Sequence, residues 1–212
     1  ISKDELLTGG DERIKFIGKN FGVLQQSVDD AMHTQSVPVV TYQRDGSTKV
    51  FEAYECVVDT PTGNVAMTCK TAEGYGSKHR WTVKFKNSQT NTVEGTYTTP
   101  PDVTTSYATP TISSFSLVAE NSGQTVNTLS TSGGTFVLLT GTNMGPLGME
   151  TCSGCQHMSA SLHLVGYYGT NGGGFCATNC KVTIKHTQIR CKTSPGIGTL
   201  HSWRLRQPDH DV

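Results

Sequence analysis

Apolar and polar residues alternate with period two along much of this chain. Ile14 and Phe16 fall on one face of a short run, with Arg13 and Lys15 on the other. Residues 136–140 repeat the arrangement with Val137 and Leu139. Trp81, Val83 and Phe85 alternate with Thr82, Lys84 and Lys86. Successive side chains of a strand point to opposite faces, so each run predicts a half-buried strand. Residues 37–42 and 161–168 are β-branched and aromatic enough to be strands as well. Residues 21–32 leave room for a short helical turn, but no sustained helical period occurs.

The pattern comes twice. Thr8-Gly9-Gly10 opens one segment and Ser132-Gly133-Gly134 another. Gly18-Lys19-Asn20-Phe21-Gly22 then matches Gly141-Thr142-Asn143-Met144-Gly145, and Cys56 matches Cys180. Cys69-Lys70-Thr71 followed by Gly74-Tyr75-Gly76 matches Cys191-Lys192-Thr193 followed by Gly196-Ile197-Gly198. Trp81-Thr82-Val83 matches Trp203-Arg204-Leu205. The pairs keep one order at an offset of 122 to 124 residues. Ordered self-similarity of this kind is the signature of an internal duplication. In Gly-x-Asn-x-Gly a strand ends and the chain reverses, because Gly and Asn tolerate positive φ. Short strands with frequent turns predict sandwiches. The fold class expected is all-β, two tandem immunoglobulin-like sandwiches joined by a Thr/Pro-rich linker. Residues 1–107 form the first and residues 108–212 the second, with the boundary near Ala108.

The series Ser/Thr-Gly-Gly, alternating strand, Gly-x-Asn-x-Gly, Cys…Cys-x-Thr-x-x-Gly-x-Gly and hydrophobic strand resembles the IPT/TIG domain family of immunoglobulin-like sandwiches. Pro110-Thr111-Ile112-Ser113-Ser114-Phe115 resembles the family's opening strand, with residues 1–7 as its counterpart in the first copy. The resemblance implies a fold and little about function, because one fold hosts many roles.

The 212 residues match one or two domains, and 17 basic residues balance 17 acidic ones. Zero net charge argues against a nucleic-acid partner, which needs clustered basic surface. No apolar run is long enough for a membrane-spanning helix, so no membrane insertion is expected. The chain begins at Ile1 without Met or leader, as expected of a processed chain or a piece of a longer one.

Seven cysteines in thin-cored domains suit an oxidising compartment, and the localisation expected is extracellular or cell surface. The equivalence of Cys56 with Cys180, and of Cys69 with Cys191, pairs Cys56 with Cys69 and Cys180 with Cys191. Cys152, Cys155 and Cys176 are particular to the second copy. Cys176 is expected to pair with Cys152 or Cys155, leaving one cysteine over. Cys152-x-x-Cys155 with Cys176 and Cys180 also has the ligand count of a structural zinc site. That alternative strands Cys191 and requires reducing conditions, so no metal is assigned.

No catalytic residues and no cofactor are assigned either. The histidines show no metal-binding spacing, Gly-x-Ser-x-Gly is absent, and Gly172-Gly173-Gly174 lacks the Lys and Ser/Thr of a phosphate loop. No Asn-x-Ser/Thr sequon occurs. The Thr/Pro-rich stretch is a candidate for O-linked sugars at Thr98, Thr99, Pro100, Pro101, Thr104, Thr105, Ser106 and Thr109, against the alternative of a bare stiff linker.

Three function classes compete. A Rel-like DNA-binding role conflicts with neutral charge and abundant Cys. A receptor or adhesin ectodomain would bind protein or glycan through sandwich loops. The reading favoured here is a non-catalytic structural subunit of an extracellular fibre, filament or surface array. The first copy continues past Trp81 into an apparent final strand around Tyr97, whereas residues 207–212 after Trp203 have no apolar alternation and contain Pro208. The second sandwich is therefore expected to lack its last strand. A neighbouring copy could supply it, giving a head-to-tail homopolymer. The alternative is that later residues of a longer chain supply it.

Overall fold

A computed structural model describes residues 5–19, 21, 36–59, 65–87, 89–119, 123–149 and 164–208. The protein is all-β, as the alternation predicts, and forms two sandwich units. One unit comprises Ile1–Glu73 and Ser77–Ser106, the other Gly74–Gly76 and Tyr107–Val212. Among the described residues the one helical element is a 3-10 turn at Thr170–Gly172. The turn expected within residues 21–32 lies outside the described residues, apart from Phe21.

The first unit contains β1 (Glu5–Leu6), β2 (Arg13–Ile17), β3 (Ser36–Arg44), β4 (Phe51–Val58), β5 (Ala66–Lys70), β6 (His79–Asn87) and β7 (Val93–Thr98). Its large sheet is antiparallel, in the order β2-β5-β4-β3-β6-β7. The alternating runs bury the faces expected of them: Ile14, Phe16, Trp81 and Val83 are all buried. Strand β4 changes partners halfway. Phe51 to Ala53 pair with β3, and Tyr54 to Val58 pair with β5. The ladder slips between Tyr54 and Val57, and Glu55 takes φ 48° there. An irregularity of this kind bends a strand and increases its twist. The sheet thereby curls over itself, and Phe16 of β2 meets Trp81 of β6 edge to face at 5.2 Å.

After the short β8 (Ser106–Tyr107), the second unit contains β9 (Thr111–Val118), β10 (Thr125–Val126), β11 (Phe136–Thr142), β12 (Val165–Gly169), β13 (Phe175–Ile184), β14 (Gln188–Lys192) and β15 (Ser202–Arg206). The sheet order is β10-β9-β11-β14-β13-β12-β15. The device at β4 recurs at β13. Its first residues pair with β12, its later ones with β14, and the ladder slips between Thr178 and Lys181. Asn179, with φ 51°, stands directly before Cys180 as Glu55 does before Cys56. The sheet again closes on itself, bringing Phe115 of β9 to 6.2 Å from Trp203 of β15. The core gathers Val137, Leu139, Met144, Leu164, Ile189 and their neighbours.

The repeated motifs have structural causes. Gly10 and Gly133 have φ 74° and 76°, and a Cβ on either would stand 2.6 Å from backbone atoms of Ala72–Glu73 or Ser194–Pro195. Only glycine fits such an approach. The Thr of Cys-Lys-Thr ties down the same turn. Thr71 is buried, its N–H donates to Glu12 O at 2.9 Å, and Asp11 N–H donates to its carbonyl at 2.8 Å. Thr193 does the same with Thr135 O and Gly134 N–H.

The edges of the two sheets differ. In the second unit β9 pairs along β11, whereas in the first β2 ends the order. The expected counterpart of β9 is thus not its equal: Glu5–Leu6 belongs to neither large sheet. Conversely, β7 pairs along β6, whereas β15 pairs with β12 alone among the described residues.

Candidate functional site

Each unit holds the same four-ring cluster. In the first, Tyr42 of β3 stacks on Trp81 at 4.1 Å and on Phe51 at 5.4 Å, while His79 stands edge-on to Tyr42 and Phe51 at 5.8 and 5.4 Å. In the second, Tyr168 of β12 stacks on Trp203 at 4.7 Å and on Phe175 at 5.2 Å, and His201 stands edge-on to both at 5.6 and 5.7 Å. The phenol of Tyr42 accepts from Ala72 N–H at 3.0 Å, and that of Tyr168 donates to Ser194 O at 2.8 Å. Stacked and edge-to-face pairs of this geometry add to the burial of the rings. The sequence reading takes from the histidines only that they lack metal-binding spacing. The signal that identifies them is their common spacing, two residues before each Trp.

The clusters differ in what lies over them. Beyond β7 the chain loops out at residues 100–104 and rejoins β6 in the same antiparallel direction. Thr99 N–H donates to Trp81 O at 2.8 Å, and Trp81 N–H donates to the Thr99 hydroxyl at 3.1 Å. Arg80 adds Nε and Nη2 bonds to Thr99 O at 3.0 and 2.7 Å. Thr105 then pairs with His79 through two backbone bonds of 2.7 and 3.0 Å. Its hydroxyl accepts the Trp81 indole N–H at 3.0 Å, and its carbonyl lies 3.2 Å from His79 Nδ1, which must donate there. Trp81 and His79 are 0% and 1% exposed.

Nothing among the described residues plays this part in the second unit. His201 and Trp203 are only half-buried as residues. Yet His201 Nδ1, Trp203 Nε1, Arg206 Nε and Gln207 Oε1 are buried atoms without a hydrogen-bond partner among the described residues. All four lie on β15 or beside it. Buried polar atoms are normally paired, so four unpaired ones at β15 single out this strand.

The Thr/Pro-rich stretch is therefore no bare linker. Thr99 and Thr105 are corrected as sugar-attachment candidates, because both are buried and their hydroxyls accept from Trp81. Thr104 and Ser106 are half-buried, and the Ser106 hydroxyl accepts Lys78 N–H at 3.1 Å. Thr98, Pro100, Pro101 and Thr109 are exposed.

Cys56 is bonded to Cys69 and Cys180 to Cys191, each pair joining neighbouring strands at a Cα separation of 4.0 Å. Cys176 is disulfide-bonded too. Cys152 and Cys155 lie outside the described residues. The zinc alternative fails, because Cys176 and Cys180 are both oxidised. These bonds favour an oxidising environment. Among the described residues no cluster of His, Cys, Asp or Glu could hold a metal ion, and no helix is long and apolar enough to cross a membrane.

The first unit also carries an apolar groove of about 460 Å³, lined by Phe16, Phe21, Val83, Phe85, Tyr97 and Pro100 among others. No family model, no curated protein and no solved structure matches the chain.

Proposed function

We propose that this protein is a non-catalytic structural subunit of an extracellular fibre, filament or surface array, with copies joined head to tail by a strand that completes the second unit. Each unit is read as an immunoglobulin-like sandwich of the IPT/TIG type. The observation that carries the reading is the outer edge of β15, unpaired among the described residues, where the repeat counterpart β6 is covered by β7 and Thr105. An open edge offers a row of backbone donors and acceptors to another strand. Contacts between unlike surfaces that do not close generate filaments. Disulfide-stapled units and attachment points for sugars on the exposed Thr98 and Thr109 suit such a role.

Sedimentation across a wide concentration range, with electron microscopy of the same samples, tests it. Rods or filaments that grow with concentration are expected. A chain that stays monomeric at millimolar concentration overturns the reading. A receptor or adhesin ectodomain is the second reading, favoured by the groove beside Phe16 and Tyr97. Saturable glycan or protein binding by a monomeric chain, lost on filling that groove with Val83→Trp, would select it.

A further inference from the structure

We infer that the outer edge of β15 is an acceptor site for one kind of occupant. It takes an extended polypeptide strand that places a Thr or Ser hydroxyl on Trp203 Nε1 and a main-chain carbonyl on His201 Nδ1. The inference deepens the assembly reading and rests on it for the source of the strand, a second copy of this chain.

The first unit supplies the precedent atom by atom. His79 and Trp81 are the repeat counterparts of His201 and Trp203, and the rings around them are arranged alike, with matching stacked and edge-on contacts. There, one residue serves both side chains. The Thr105 hydroxyl takes the indole N–H and its carbonyl takes the imidazole N–H, while its own backbone pairs with His79. In the second unit the corresponding indole Nε1 and imidazole Nδ1 are in place, desolvated and unpartnered among the described residues. Desolvation without a partner is costly, so an occupant that brings both acceptors gains more than a strand bringing backbone bonds alone. Specificity follows from the same geometry. The hydroxyl must fall at one register only, which fixes how the strand is aligned on an otherwise permissive edge.

Arg206 Nε and Gln207 Oε1 are likewise buried without a hydrogen-bond partner among the described residues, and Gln207 is 0% exposed. Gln207 Nε2 donates to Asn143 O at 2.7 Å.

The probe is a fluorescent synthetic peptide of this chain's own residues 92–106, read by anisotropy against the whole protein. The intramolecular copy of that segment keeps its place on β6 through its far higher effective concentration, which leaves β15 open to the peptide. Saturable binding is expected. Thr105→Val in the peptide removes the hydroxyl and should weaken it roughly tenfold. On protein carrying Trp203→Phe, which has no N–H to satisfy, the two peptides should bind alike. Absence of saturable binding to the unsubstituted protein overturns the site, as does an equal penalty for the Thr105→Val peptide on both proteins. The wild-type arm needs no substituted protein, so a misfolded Trp203→Phe variant does not spare the proposal. Filaments without peptide binding would sink this site and leave assembly standing. Peptide binding by a strictly monomeric chain would keep the site and sink the homopolymer.

Discussion

Trp81 and Trp203 stand at the same place in the two units, and among the described residues only Trp81 has a partner for its indole N–H. The partner is the Thr105 hydroxyl, itself 1% exposed. Thr105→Val keeps the shape and removes the acceptor. An orphaned buried donor costs about 1–3 kcal/mol, and urea unfolding should show a loss of that size. Trp203→Phe breaks no hydrogen bond among the described residues, so it should lose packing alone. Equal losses would mean that Thr105 closes the first unit by shape rather than by bonding.

The Cys56–Cys69 and Cys180–Cys191 disulfides close short loops, with sequence separations of 13 and 11 residues. Each should contribute about 3 kcal/mol in the chain-entropy picture. Replacing Cys56 and Cys69 together by Ser, or Cys180 and Cys191 together, should lower unfolding stability by that order. Both bonds follow directly on a left-handed residue, Glu55 or Asn179, at the point where the strand changes partners. The double variants should therefore also speed amide exchange at the slips in β4 and β13.

Glycine at the opening turns is a steric requirement. Gly10→Ala and Gly133→Ala combine positive φ with a clash against backbone, and each should cost at least about 1 kcal/mol. Gly9→Ala is the internal control, since nothing stands within 4 Å of its Cβ position. It should be neutral to within about 0.5 kcal/mol in the same thermal scans.

Tyr54 lies on the surface beside Asp11, whose carboxylate accepts its phenol O–H at 2.5 Å. That bond, then desolvation and the charges of Asp11 and Glu55, raises the phenol from 10.0 to about 12. A raised pKa in the folded state means that the contribution is intact below the ordinary value. It is lost as pH climbs from 10 through about 12. Absorbance titration of tyrosinate should show one phenol moving down toward 10 in Asp11→Asn. An unchanged titration would deny the bond.

Much of the architecture could be read from residue order, and for physical reasons. Period-two alternation at Ile14, Phe16, Val137 and Leu139 reports a face, and those faces are buried. The Gly-Gly and Cys-x-Thr motifs recur because each repeat needs the same close backbone approach. The partner change within β4 was invisible, because Glu55 is an unusual residue for positive φ and its role comes from the neighbouring strands. The ring clusters were missed because their members lie on different strands. Their spacing also drifts between repeats: Tyr42 to Tyr168, Phe51 to Phe175 and His79 to His201 differ by 126, 124 and 122 residues. The Thr/Pro-rich stretch looked like a connector by composition. Thr99 continues the pairing of β7 with β6, and Thr105 rejoins β6 after a loop at residues 100–104, which composition alone does not reveal.

The chain has two tryptophans and so two indole N–H signals in a nitrogen-correlated spectrum. Hydrogen exchange of these two protons, compared between dilute protein and concentrated assembled material, tests the acceptor edge most directly. The prediction is slow exchange of the Trp81 proton in both samples, with the Trp203 proton fast when dilute and slowed to the same range on assembly. A Trp203 proton that exchanges at one rate in both samples would contradict a strand seated on β15.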